Sequence, residues 1–247
     1  LLAVRELAVR EHWLISPHEM QLSPDTVLGQ GAFGVVVQGI YCGAPVAIKL
    51  SHSRLSGSNA LKASQLANEI RILRQARHPN LVSFYGCIVD TESCRLGMVL
   101  EKVDGPKLCT FVSQKRAGDH QTQYAILVGL ASALFFLHSR QPCIVHGDLK
   151  SSNVMIATAG VCVQPKLLDF GLSRLMTRGV KPLGGTLSWV APEVFHRAGS
   201  QRPKPSADVY SFGRLVFLVV TRTEPLKGMD RKAIERCLEE ARFPALD

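Results

Sequence analysis

The sequence predicts an α+β chain in two parts, strand-rich first and helix-rich second. Three observations carry that expectation. Short β-rich runs recur at 27–38, 46–49, 81–89 and 96–101. Asp104-Gly105-Pro106 then breaks the pattern. Beyond it lie two strongly apolar stretches of helical length, 121–139 and 206–221. The organisation that follows is a lead-in segment over 1–22, a small lobe over 23–103 and a large lobe over 104–247.

Composition narrows the class. The 247 residues suffice to bury a core, and 46% hydrophobic content excludes a disordered chain. The formal charge of +9 raises the question of a nucleic-acid partner, but Lys and Arg are scattered with no block of like charge, so no nucleic-acid face is expected. Cys42, Cys87, Cys94, Cys109, Cys143, Cys162 and Cys237 are odd in number and form no C-x-x-C pair. They read as reduced thiols of an intracellular, cytoplasmic protein, not as a disulfide frame or zinc site. No apolar run approaches the ~18 residues of a membrane span, the nearest being 215–220, and Arg5, Glu6 and Arg10 argue against a signal peptide. The chain begins with Leu, so it reads as a segment of a longer protein with room for flanking domains.

Residues 1–12 place Leu2, Leu7 and Val9 at helical spacing, which predicts a short lead-in helix. Residues 27–38 contain G-Q-G-A-F-G-V-V. Gly29, Gly31 and Gly34 would let backbone amides approach phosphate oxygens where a Cβ would obstruct, and Phe33 would cap the tip. The same glycine spacing opens dinucleotide-binding folds, where a helix follows; here Val35-Val36-Val37 continue as strand, so the glycines sit in a hairpin. Lys49 ends the apolar run Val46-Ala47-Ile48 and needs an anionic partner if buried. Residues 61–77 read as a helix with Leu66, Ile70 and Leu73 on its buried stripe, and Glu69 beside that stripe is the candidate partner. His78-Pro79-Asn80 stops the helix. The 121–139 helix is apolar on most faces and is expected at the buried centre of the large lobe. Residues 206–221 read as a helix capped at Ser206, and 228–242 as one more amphipathic helix.

The chemistry concentrates in I-V-H-G-D-L-K-S-S-N, residues 144–153, and in Asp169-Phe170-Gly171. Phosphoryl transfer needs a carboxylate to receive the proton of the attacking hydroxyl and oxygen ligands that fix Mg²⁺ on the phosphates. Asp148 can be the first, Asn153 and Asp169 the second, and Lys150 can neutralise the group in transit. Together with Ala191-Pro192-Glu193 downstream, this ordered set resembles the eukaryotic protein kinase catalytic domain. G-T-x-x-W-x-A-P-E and K-S-S-N resemble the tyrosine-kinase-like group of serine/threonine kinases.

The resemblance implies a two-lobed kinase fold whose small lobe is an antiparallel sheet with one helix and whose large lobe is mainly helical, its last helices lying beyond this segment. It implies ATP with two Mg²⁺ ions as cofactors and protein substrates with Ser/Thr acceptors. Lys49 would be positioned on the α- and β-phosphates by Glu69. Leu100 would back the adenine pocket, the backbone of Glu101 to Val103 would bond adenine, and Val36, Ala47 and Met155 would sandwich the ring. His146 would join Leu73, Phe84 and Phe170 in a stacked column, Asp208 would anchor the catalytic loop, and Thr186 would contact Asp148 and Lys150. Ser173 and Thr177 are candidate phosphosites.

Two departures stand out. Gly147 replaces the arginine that pairs with a loop phosphate, so switching by that route is not expected. Glu193 lacks the arginine it pairs with in such kinases, which would leave a buried carboxylate uncompensated. Arg214 inside an apolar run has no explanation in the sequence. A pseudokinase serving as a nucleotide-binding scaffold, and an inactive truncated fragment, are the alternative readings.

Overall fold

A computed structural model of the chain describes residues 2–31, 34–51, 60–91, 95–159, 162–175, 187–196 and 204–240. The chain divides into two compact units, one of Leu1–Arg77 with Val82–Val103 and one of His78–Leu81 with Asp104–Asp247.

The first unit contains helices α1 (Leu2–Arg10) and α2 (Ala60–Leu73) and strands β1 (Met20–Gly31), β2 (Gly34–Tyr41), β3 (Ala44–Ser51), β4 (Phe84–Asp90) and β5 (Arg95–Glu101). The strands form one antiparallel sheet in the order β1-β2-β3-β5-β4. Side-chain alternation gives it two different faces. Leu96 and Met98 of β5 join Ala8, Trp13, Ile70 and Cys87 in one core. Val99 joins Ile15, Met20, Val37, Val46 and Ile48 in the other. Cys42 and Gly43, with φ of 49° and 79°, close the β2–β3 hairpin, a two-residue turn whose twist matches that of the strands.

The expected lead-in is part of this unit. Beyond α1 the chain runs beside β4, where the Ile15 amide donates to Cys87 O (2.8 Å) and the Cys87 amide donates to Trp13 O (2.9 Å). Burial pushes the Cys87 thiol up to about 12, so it stays protonated and inert. β1 starts at Met20, ahead of the expected run, and its register slips between Ser23 and Val27. Pro24 has no amide to donate there, which an edge strand tolerates.

Gly34 is required by packing: a Cβ at this position would overlap the Leu50 carbonyl on β3. Gly34→Ala is expected to cost about 1–3 kcal/mol through that overlap, read as a lower thermal unfolding midpoint. An unshifted midpoint would contradict it.

In the second unit, α3 (Leu108–Phe111) and α4 (His120–His138) are followed by β6 (Ile144–Val145), the hairpin of β7 (Val154–Ala159) and β8 (Cys162–Leu167), β9 (Arg174–Leu175), which pairs with β6, and helices α5 (Pro192–His196), α6 (Pro205–Thr221) and α7 (Arg231–Glu240). The stop at His78-Pro79-Asn80 belongs to this unit. Asn80 Nδ2 donates to Pro165 O (3.0 Å), the Leu167 amide donates to Asn80 O (2.8 Å), and His78 Nε2 lies 3.1 Å from Ser132 Oγ on α4.

Three expectations are corrected. α4 is buried along Thr122, Gln123, Ile126, Leu130, Ala133, Leu134 and Leu137; Tyr124 and Phe135 on its other face are 70% and 77% exposed. Its composition overstated its burial because apolar residues also populate surfaces. α6 begins at Pro205, with Lys204 as N-cap and no side-chain cap bond, so Ser206 is not the cap. Proline suits the first helical position and sets the start there. The last helix spans Arg231–Glu240 and buries Ile234 and Leu238; residues 241–247 lie outside the described residues. No helix among the described residues is long and apolar enough to cross a membrane.

Candidate active site

Each unit presents its own group of the expected residues. In the first, strand register sorts them. Gly29 pairs with Val36, Val36 with Lys49, Ala47 with Leu100 and Lys49 with Met98, so Gly29, Val36, Ala47, Lys49 and Leu100 share one face of the sheet. Lys49 Nζ donates to both carboxylate oxygens of Glu69 on α2, at 2.8 and 3.0 Å. The side chains are 13% and 3% exposed, so each charge depends on the other for its place in the interior.

A Cβ at Gly29 would meet nothing within 4 Å, unlike the one at Gly34. Gly31 closes the register against Gly34, and Ala32 and Phe33 between them lie outside the described residues. On the expected hinge, the Glu101 amide already donates to Ser83 O (2.9 Å), and its carboxylate accepts from the Ser83 amide (3.1 Å). The Glu101 N–H is thereby already engaged within the first unit. Val103 follows as a buried residue.

In the second unit the loop after β6 is held from below by α6. Asp208 accepts from the His146 amide through Oδ2 and from the Gly147 amide through Oδ1, both at 2.8 Å, and His138 Nε2 donates to Oδ2 at 2.9 Å. Gly147 has φ of 77°, a conformation in which a residue with a Cβ is strained. His146 is fully buried and is no base. Its Nε2 must carry the hydrogen that reaches Leu168 O (3.0 Å), which leaves Nδ1 to accept from the Asp148 amide (3.3 Å). Its ring meets Phe170 edge-on, centroids 5.1 Å apart. Leu73 and Phe84, the other expected members of the column, belong to the first unit.

This frame presents Asp148. Lys150 Nζ and Asn153 Nδ2 both donate to Oδ2, at 2.7 and 3.0 Å, and Asn153 Nδ2 also reaches Asp148 O at 2.9 Å. Oδ1 has no hydrogen-bond partner among the described residues and is the oxygen able to take a proton. Because Asn153 uses its NH₂ toward Asp148, its amide oxygen is the atom left for a cation. Asp169 has φ of 58°, and its Oδ1 accepts from the Gly171 amide (3.3 Å). Met155 lies on β7 opposite Lys166.

A sequence profile of the protein kinase domain matches residues 22–243. The chain belongs to the protein kinase family. The kinase chain is 32% identical over 226 residues to the mitogen-activated protein kinase kinase kinase of Drosophila melanogaster, covering 87% of this chain and 19% of that protein. It is 32% identical over 210 residues to the serine/threonine-protein kinase CTR1 of Arabidopsis thaliana, covering 80% and 24%. It is 33% identical over 205 residues to a probable serine/threonine-protein kinase of Dictyostelium discoideum, covering 80% and 19%. The chain thus spans about a fifth to a quarter of the length of these relatives.

Other expectations meet the structure differently. Ser173 is fully buried and donates to His146 O at 2.9 Å, so in this fold its hydroxyl is no accessible phosphosite. Thr177 and Thr186 lie outside the described residues. Glu193 is exposed and accepts from Ser206 Oγ (3.4 Å), so the expected penalty of a buried unpaired carboxylate does not arise. Arg214 donates to Tyr210 Oη at 2.7 Å one turn earlier on α6, its guanidinium 5.3 Å from the ring centre, which explains a cation in that apolar run. Ser211, whose hydroxyl reaches Trp189 O at 2.8 Å, went unnoticed in the sequence. Its spacing of three from Asp208 was the available signal, since both then share one face of a helix.

Proposed function

We propose that this chain carries an ATP-dependent protein serine/threonine kinase activity, moving the γ-phosphoryl group to serine and threonine hydroxyls of protein substrates in intracellular, cytoplasmic signalling. The observation that carries it is Asp148, with one oxygen clamped by Lys150 and Asn153 and the other without a hydrogen-bond partner among the described residues.

Asp148 receives the proton of the acceptor hydroxyl at Oδ1 and orients its oxygen for attack. Lys150 offsets the charge on the group in transit. Lys49, held by Glu69, binds the α- and β-phosphates, while Gly29, Gly31 and Gly34 bring backbone amides to the phosphates. Val36, Ala47 and Met155 flank the base, and backbone groups of Glu101 and Val103 bond its edge. The oxygens of Asn153 and Asp169 suit Mg²⁺, a hard cation bound through one or two protein oxygens, phosphate oxygens and water; two ions fit this reading. When bound, the metal neutralises phosphate charge.

The test is γ-phosphate transfer to a positional peptide array, with Lys49→Met as control. Transfer to Ser/Thr peptides by the unaltered protein and none by the variant supports the reading. A thermal shift with Mg·ATP and no transfer would favour a nucleotide-binding scaffold. Since the space around Gly29 is open, Gly29→Ala should leave thermal stability unchanged yet weaken nucleotide binding, measured by titration. Equal losses in both would refute that role.

A further inference from the structure

We infer that Ser211 is a positioning residue for the acceptor substrate, a role that rests on the phosphotransfer reading. α6 carries Asp208 and Ser211 on one face, three residues apart. Asp208 fixes the backbone immediately ahead of Asp148 through the amides of His146 and Gly147. Ser211, 8% exposed, has one hydroxyl hydrogen shared between Trp189 O at 2.8 Å and Ala207 O at 3.1 Å, the contact to Trp189 being the shorter. One rigid helix therefore holds both the catalytic loop and the segment that leads into α5.

The two held segments face a common space. Asp148, Asp208 and Ser211 line the same cavity as Trp189, Val190 and Ala191, about 20 Å³ in volume. Because the 189–191 backbone and Asp148 line this one cavity, we take the acceptor hydroxyl to reach Asp148 past that backbone. A turn over 187–189 leads into this backbone, which has no strand pairing, and the Ser211 hydroxyl is the side-chain hydrogen bond it receives among the described residues. Ser211 thus sets the height of the acceptor's bench relative to the base. It touches neither nucleotide nor reacting atoms.

Ser211→Ala removes the donor, and Ser211→Thr keeps it. Expected for Ala is a roughly fivefold rise in KM for an acceptor peptide, the worth of one hydrogen bond, with KM for ATP and kcat unchanged. Amide exchange over residues 187–191 should accelerate by a similar factor, and Thr should restore both. Unchanged exchange in Ala overturns the inference whatever the activity does. So does a loss of ATP affinity and thermal stability in step with peptide KM, which marks a general packing role. Accelerated exchange in a protein whose unaltered form transfers no phosphate overturns the phosphotransfer reading instead.

Discussion

Asp148→Asn should abolish phosphotransfer while the protein still binds nucleotide and unfolds at an unchanged temperature. The substitution keeps the side chain's shape, and the amide oxygen can still accept from Lys150. It removes the basic oxygen, and loss of a general base commonly costs about 10²- to 10⁴-fold. Asp148 is also partly accessible, its side chain about 10% exposed, so neutralising it leaves no bare charge deep in the core. The measurement is kcat on the best array peptide together with nucleotide titration. A variant within tenfold of the unaltered protein would show that Asp148 is not the base.

Asp208→Ala should damage the same reaction by a different route, through collapse of the loop's support. The carboxylate is 1% exposed and accepts from two backbone amides and the His138 ring. Truncation strands these donors without water to replace the lost acceptor. Each unsatisfied buried group costs about 1–3 kcal/mol, so a total of about 3 kcal/mol or more is expected. For a chain of this size that is a fall of about 6 °C or more in the unfolding midpoint. Activity should fall with it, and His138→Phe, which removes only one of the three donors, should do much less. A stable Asp208→Ala protein would mean that the loop holds its shape unaided.

How far these parts were visible in the sequence differs by cause. Lys49 and Glu69 were legible because a lysine in an apolar strand demands an anion and one helix offered a carboxylate beside its buried stripe. The meeting of Asp148 and Asn153 was legible because both lie in one short loop motif that resembles the kinase catalytic loop; the roles of these residues and of Asp169 belong to the proposed function. What Gly34 does was not, since the approach of Leu50 across the sheet follows from strand register, which the residues around a glycine do not encode. The burial of Ser173 and the exposure of Glu193 were hidden for a related reason. A hydroxyl or carboxylate looks alike in sequence whether it faces a carbonyl or water. Arg214 misled in the opposite direction: its partner Tyr210 lay one helical turn away in plain sight, but an isolated charge in an apolar run invites no local explanation.

The rung formed by Trp13 and Ile15 against Cys87 bears on where a recombinant fragment can safely begin. The kinase-domain profile starts at residue 22, and a chain cut there would lose that rung together with the α1 residue Ala8 and the indole of Trp13 from the core they share with Ile70 and Met98. The outer margin of β4 would then offer unpaired amides and carbonyls beside freshly bared apolar side chains, a template for self-association. Insolubility of such a fragment would report the missing flap, not a failure of the domain to fold.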